Sequence, residues 1–340
     1  MYKLNNIIYN KNSFIWIMRQ AGRYLPEYLK TREEAGDFLN LCYNPELACE
    51  VTIQPITRFN FDAAIIFSDI LVVLDALDIE VKFIKGKGPV LKGDLKKFSE
   101  IELSSIEERI NEKLQNIYKA ISLVRKELDA DKSLIGFSAA FFTLFVYLIE
   151  QASSKDYAKA KIFSYNHPEE FLKIKKILIK AISVHLKNQI AAGCDVIKIF
   201  DSWAGVVAED KINSFIIDPT AEILENLKGE KVKKICFPKN IRKNLDKFCE
   251  LDFDVLALDF NFDIKKAEDI YQKYGKITQG NMDPSFLLAN DQNIIKNEID
   301  KIRNATKNIP HIFNLGHGVL PQTPVKNMEF LVEYYRKSFS

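Results

Sequence analysis

Val196-Ile197-Lys198-Ile199-Phe200-Asp201-Ser202-Trp203-Ala204-Gly205 is a short, mostly apolar run, rich in β-branched residues, that passes without a spacer into a segment carrying an aspartate, a serine and a glycine. A run of this length reads as a buried strand, and the polar residues after it mark where the chain leaves the sheet. The same grammar recurs along the chain. Strands are predicted at 63–67, 134–137, 196–200, 234–237, 255–258, 276–279 and 311–314, with amphipathic helical stretches at 101–129, 168–192, 219–227 and 264–274. Strands alternating with helices predict an α/β fold in which helices cover the outside of a closed parallel sheet. An eighth strand is needed to close a barrel, and the pattern does not place it. Roughly the first sixty residues are expected as an N-terminal extension outside the first barrel strand.

The 340 residues are 47% hydrophobic and 28% charged, which suits a globular chain with a large core and excludes disorder and fibres. No linker, repeat or low-complexity block divides them, so residues 1–340 are expected as one domain. The 48 basic and 46 acidic residues leave a formal charge of +2, without the basic excess that a nucleic-acid partner demands. Five cysteines (Cys42, Cys49, Cys194, Cys236, Cys249) are scattered with no C-x-x-C spacing. Neither a disulfide scaffold nor a zinc knuckle is expected, and a reducing, cytoplasmic setting fits. Residues 1–12 are polar, and no apolar stretch with a cleavage site follows them, so no export signal is expected. Residues 134–149 contain only apolar, Gly, Ser, Thr and Tyr residues but fall short of the ~18 that a spanning helix needs. They predict a buried strand running into a helix, and no membrane partner. Residues 86–97 are expected as an exposed loop or small ribbon.

Five of the seven predicted strands run straight into polar segments: Ser68-Asp69, Asp201 to Gly205, Asp259-Phe260, Gly280 to Pro284, and Leu315 to Gly318. In a parallel β/α barrel the C-terminal strand ends share one face, where active sites sit, so distant ionisable groups would converge there. Asp, Ser, Asn and Gly are also favoured at turns and caps. For any one of these segments alone, both readings stand.

Only nine of the 48 basic residues are arginine, leaving 39 lysines, and two of the nine are Arg19 and Arg23. Gly22 permits a turn between them and the following Pro26 suits the first turn of a helix. The planar guanidinium fork pairs with carboxylates in a way that lysine cannot match, so the two are either a clamp for an acidic ligand or two surface arginines near a helix start. Asp69 lies between two apolar runs. It either caps the next helix or faces the barrel mouth as a desolvated charge. Tyr147 lies on an apolar segment and suits the core. His317 is bracketed by Gly316 and Gly318, which allow close backbone approach to a ligand or simply make a tight turn. His167, His185 and His311 read as structural. Ser202 lacks the G-x-S-x-G setting of an activated nucleophile. With no P-loop, G-x-G-x-x-G, H-E-x-x-H or paired Cys/His cluster, neither a cofactor nor a metal is expected.

These segments together closely resemble the uroporphyrinogen decarboxylase family. The resemblance is carried by residues 16–28 (WIMRQAGRYLPEY), 66–70 (IFSDI), 136–150, 200–205 (FDSWAG), 279–284 (QGNMDP) and 314–318 (NLGHG), in the family's order and spacing. It implies a (β/α)8 TIM-type barrel that removes carbon dioxide from the acetate arms of uroporphyrinogen III, leaving methyl groups and giving coproporphyrinogen III in haem biosynthesis. It implies substrate contacts from Arg19, Gln20, Ala21, Gly22, Arg23, Asp69, Tyr147, Ser202 and His317, and a homodimer. Asp69 and Arg19 are then the catalytic candidates. Asp69 would accept hydrogen bonds from the pyrrole NH groups and steady the ring cation. Arg19 would donate a proton or orient a water, although a guanidinium releases its proton reluctantly. No cofactor is implied, because a protonated pyrrole carbon makes the ring its own electron sink.

One motif departs from the family pattern. Where members usually read G-F-x-G-A-P-W-T this chain has Gly136-Phe137-Ser138-Ala139-Ala140-Phe141-Phe142-Thr143, and Gln151 replaces the usual glycine. A displaced loop near Tyr147 is therefore expected. Two rival readings remain: a zinc-dependent corrinoid or methionine methyltransferase of the same fold, for which no His-x-Cys pair is present, and a non-catalytic tetrapyrrole carrier.

Overall fold

The computed structural model describes residues 13–84, 88–152, 154 and 156–338. Residues 1–12 and the start of the predicted ribbon, 86 and 87, lie outside the described residues. The strands are β1 (Ala63–Ile65), β2 (Glu80–Ile84), β3 (Gly88–Lys92), β4 (Ser133–Ala139), β5 (Val196–Asp201), β6 (Lys233–Pro238), β7 (Val255–Ala257), β8 (Ile277–Met282) and β9 (His311–Leu315). Seven of them form one curled, wholly parallel sheet in the order β1-β4-β5-β6-β7-β8-β9, and β2 and β3 form a separate antiparallel hairpin. Every predicted strand is present with its ends shifted by a few residues. The ribbon also exists, but it starts earlier than residue 86.

Between the strands run the expected helices, Ile106–Glu127, Pro168–Ala191, Asp218–Asn226 and Ala267–Tyr274. In the first, Ile106, Ile110, Leu114, Ile117, Ile121 and Val124 make a buried stripe at three- and four-residue spacing, which is what lets a helix seat on a sheet. All of β5 is buried, as a parallel strand covered on both faces must be.

The N-terminal segment departs from its expected place outside the sheet. Ile15 bridges in parallel to Phe313 of β9, with Phe313 N donating to Phe14 O at 3.0 Å and Trp16 N to Phe313 O at 3.4 Å. On the other side Asp62 N donates to Ile15 O at 3.0 Å, and Ile15 N donates to Asp62 Oδ2 at 2.8 Å. Residues 14–16 therefore tie the β9 edge of the sheet to the residue preceding β1. Phe14, Ile15, Trp16 and Ile17 are all buried. Four consecutive apolar residues mark a stretch covered on both faces, but so short a run carries no periodicity to read.

The interior holds several titratable groups. Lys198 on β5 is 1% exposed, with Nζ 4.8–5.2 Å from the ring centroids of Phe200, Trp16 and Phe237, and burial pulls its pKa down to about 7. His185 and His311 are buried with depressed pKa values, as structural histidines; His311 bonds Thr278 and Gly280 O. All five cysteines are free and buried. Among the described residues no helix is long and apolar enough to cross a membrane.

Candidate active site

The segment carrying Arg19 is pinned to two strands, β9 and β1, and to the chain that follows β9. Met18 N donates to Asn314 Oδ1 at 2.9 Å, and Val319 N donates to Met18 O at 3.0 Å. Gln20 is fully buried: its Nε2 donates to Ala63 O at 3.2 Å, and its Oε1 accepts from Ile17 N at 3.3 Å. Its polar atoms serve the backbone of the segment. Ala21 and Gly22 are half-buried, and Leu25 N donates to Gly22 O in the turn before the helix Pro26–Ala35, which opens on proline as the sequence suggests. The left-handed backbone of this loop falls on Arg19 (φ 62°) rather than on the glycine. A non-glycine residue there costs about 1–3 kcal/mol, which the surrounding bonds offset. The outcome is an exposed guanidinium lying across Gly318, where a Cβ would stand 2.8 Å from Arg19 Nε. Arg23 is exposed at the rim, and its charge reaches Tyr28.

Asp69 does not cap the next helix; it makes a turn just before it. Its Oδ1 accepts from Leu71 N at 2.8 Å, at the head of the short helix Val72–Asp75. Burial meanwhile pushes its carboxyl up to about 6, opposed by the Leu71 bond and by the charge of Arg19. Tyr147 feels the same neighbours: burial first, then the Asp69 charge, push it up to about 12, while Arg19 works the other way. Arg19, Asp69 and Tyr147 therefore share one electrostatic neighbourhood at the C-terminal edge of the sheet.

The helix that carries Tyr147, Phe141–Glu150, forms with the altered motif at its start. Phe141 occupies its first position, where proline is favoured, packing on Phe145 and Phe171 at 5.6 and 5.9 Å between ring centroids. Aromatic packing fixes the helix start that a proline would otherwise pre-set. One turn in, Thr143 Oγ1 donates to Asp201 Oδ1 at 2.8 Å and accepts from Ser202 N at 2.9 Å, so the same helix holds Ser202 at the end of β5. Burial pushes the Asp201 carboxyl up to about 7, and its Oδ2 is buried with no hydrogen-bond partner.

His317 follows β9 beside Arg19. Burial, then Lys239 and Arg19, pull its pKa down to about 4, so it is a neutral imidazole near pH 7 and offers hydrogen bonds rather than charge. Asp259 and the Asp283 segment turn out to be turn chemistry. Asp259 accepts from Asn240 N and Asn261 N, at 2.8 and 2.9 Å, and Asp283 caps Ser285 N at 2.8 Å. Nothing in the sequence singles out Lys239, one lysine among 39. Its only legible signal is its position directly after a strand.

Among the described residues, Arg19 and Arg23 have no carboxylate oxygen within ion-pair distance, whereas Arg58 pairs with Glu27 at 2.7 Å and Arg125 with Asp195 at 3.2 Å. Unpaired guanidinium groups, a neutral imidazole and one poorly solvated carboxyl suit a ligand that carries several acidic arms and a few NH donors. In a neighbouring cleft bounded by Pro238, Arg242, Asp259 and Tyr274, Lys273 and Lys243 pair with Asp246 and Glu209 at 3.7 and 3.5 Å, while Arg242, like Arg19 and Arg23, has no carboxylate within ion-pair distance among the described residues. No group of three His, Cys, Asp or Glu side chains among the described residues could hold a metal.

Comparison with known proteins agrees with this chemistry. The family model described as uroporphyrinogen decarboxylase (URO-D) matches residues 11–338. A uroporphyrinogen decarboxylase of Rickettsia bellii is 42% identical over 326 residues, covering 95% of this chain and 94% of that protein. One of Rickettsia felis is 42% identical over 337 residues, covering 98% and 96%. Among solved structures a methyltransferase from Methanosarcina mazei superposes with a TM-score of 0.80 at 17% identity, covering 99% of this chain and 98% of that one. At that identity the likeness is one of fold.

Proposed function

This chain belongs to the uroporphyrinogen decarboxylase family, and from that membership we propose that it decarboxylates the acetate arms of uroporphyrinogen III, giving coproporphyrinogen III, with the residues around Arg19 and Asp69 as its site. The strand ends form the mouth of a (β/α)8 barrel of one domain, with residues 14–16 filling the eighth place between β9 and β1. The working form is a cytoplasmic homodimer.

In each round a pyrrole carbon takes a proton, the bond from the acetate methylene to its carboxylate breaks, and the electron pair flows into the cationic ring. A proton then reaches the methylene carbon to complete the methyl group, and the ring carbon gives up the proton it first took, restoring the neutral pyrrole. Asp69 accepts the pyrrole NH groups, and its charge steadies the cation in a site poor in water. Arg19 and Arg23 grip the acidic arms as forks, His317 and Tyr147 add hydrogen bonds, and Ser202 binds from the opposite loop. Gln20, Ala21 and Gly22 shape the loop that presents Arg19. Arg19 also stands where a proton donor or a water-orienting group is needed.

The observation that carries this reading is the shared neighbourhood of Arg19, Asp69 and Tyr147: the charge of Arg19 is felt at both of the others, and that of Asp69 at Tyr147. Anaerobic incubation with uroporphyrinogen III, with the products separated by carboxyl number, tests it. Stepwise loss of carboxyl groups down to four is expected; tight binding without any loss would make the chain a carrier instead.

A further inference from the structure

Lys239 comes directly after β6 and is held by the loops on either side. Its N donates to Asp201 O at 3.1 Å, and its O accepts from Gly205 N at 2.9 Å. The next residue, Asn240, packs so closely on Gly205 that a Cβ there would stand 2.7 Å from Asn240 O, and Asn240 N bonds Asp259 Oδ2 at 2.8 Å. Beyond Asp259, a Cβ on Gly316 would stand 2.7 Å from Phe260 Cα. These contacts run unbroken from Ser202 through Lys239 and Asp259 to His317, and across Gly318 to Arg19. Lys239 therefore occupies the arc between the serine and the histidine.

The ammonium itself is unmatched. Lys239 is half-buried, and among the described residues it has no carboxylate within ion-pair distance. The nearby Asp259 spends its two oxygens on backbone N–H groups. A half-buried cation without a counter-ion is costly to keep unless a ligand supplies one. Its charge is felt at His317, and at Lys239 the Asp259 carboxylate, which makes no ion pair with it, is felt ahead of Arg19.

We infer that Lys239 binds one carboxylate arm of the tetrapyrrole, on the far side of His317 from Arg19. This rests on the decarboxylase reading and adds to it a third cationic grip that recognises substrate as a point charge, where the arginines act as forks. Because the arm it holds is not the reacting one, its contribution is equal in ground state and transition state, and belongs in KM.

The test is steady-state turnover of uroporphyrinogen III by Lys239→Gln and Lys239→Arg beside the unaltered enzyme, with melting temperatures as a check on folding. The glutamine variant is expected to raise KM about tenfold with kcat changed less than about threefold, to bind uroporphyrin with a shallower salt dependence, and to melt as the parent does; arginine restores KM to within about threefold. An unchanged KM and salt dependence in Lys239→Gln, or a loss confined to kcat, would overturn the assignment while leaving the decarboxylase reading intact. A parent enzyme that releases no carbon dioxide would overturn that reading, and uroporphyrin binding by the two variants would still judge Lys239 on its own.

Discussion

Gly318 lies directly beneath the side chain of Arg19, so closely that a Cβ there would come within 2.7 Å of Arg19 Cγ and 2.8 Å of its Nε. The glycine is the floor on which the guanidinium rests beside His317. Gly318→Ala is therefore expected to lift Arg19 off its seat while sparing the core, since the group that must yield is a flexible side chain. KM for uroporphyrinogen should rise about tenfold with the melting temperature within a few degrees of the parent. Equal kinetics in the two proteins would separate Arg19 from substrate binding.

Asp69→Asn keeps the shape of the side chain and its turn bond from Leu71 N but removes the charge. Turnover should fall about a hundredfold or more, the usual cost of losing one electrostatic group aimed at a developing charge. Near-parent turnover would remove Asp69 from the role of cation stabiliser.

The same carboxyl, raised to about 6 in the folded protein, sets a pH dependence. If the ionised form is the active one, kcat/KM of the parent should rise with pH through about 6 and level off above it. The raised value also means that the folded state binds the proton more tightly, so Asp69 costs stability as pH climbs from its ordinary 3.8 through about 6, and Asp69→Asn should be no less stable than the parent at pH 7. A pH–rate profile and melting curves at pH 5 and 7 check both halves.

Lys198 is a second titrating group, with the opposite arithmetic. Its folded pKa of about 7 lies below the ordinary 10.5, so the unfolded chain binds the proton more tightly and stability should rise with pH between those values. Lys198→Met replaces the ammonium with an apolar chain of similar length among the same rings. It is expected to be more stable at pH 7 by about 1–4 kcal/mol and to lose the rise above pH 7. Chemical denaturation at pH 7 and pH 9 gives the answer; a variant destabilised at pH 7 would mean that the three rings hold the ammonium more firmly than water does.

Thr143 holds two partners with one hydroxyl, Asp201 and Ser202 N. Thr143→Val leaves the buried Asp201 carboxyl without a bonded oxygen on that side, which should cost about 1–3 kcal/mol in stability and release the Ser202 loop. Both the melting temperature and KM should move; movement of the first alone would make Thr143 structural only.

Much of this architecture is legible in the chain, because parallel strands buried on both faces announce themselves as compact apolar runs, as β5 and β9 do. The contribution of residues 14–16 is not, since a few apolar residues between polar neighbours look no different from any buried loop. At the site, the charged candidates are visible as residues but their company is not. That Asp69 sits desolvated near Arg19, that Gln20 faces inward to Ala63, and that Lys239 lacks an ion-pair partner all depend on contacts between segments far apart in sequence. At the altered motif, Phe141 packs on Phe145 and Phe171 at the first position of the helix that carries Tyr147, a contact that the sequence does not announce.

The loop presenting Arg19 is secured by partners that the ribosome makes last: Met18 bonds Asn314, 296 residues further on, and Val319 bonds back to Met18. A chain still emerging from synthesis can hold that turn only through Gln20, by its bonds to Ile17 and to Ala63 on β1. The turn is therefore fastened on its second side only when the final strand arrives, and a fragment ending before residue 314 would carry most of the strands with the Arg19 turn anchored at β1 alone.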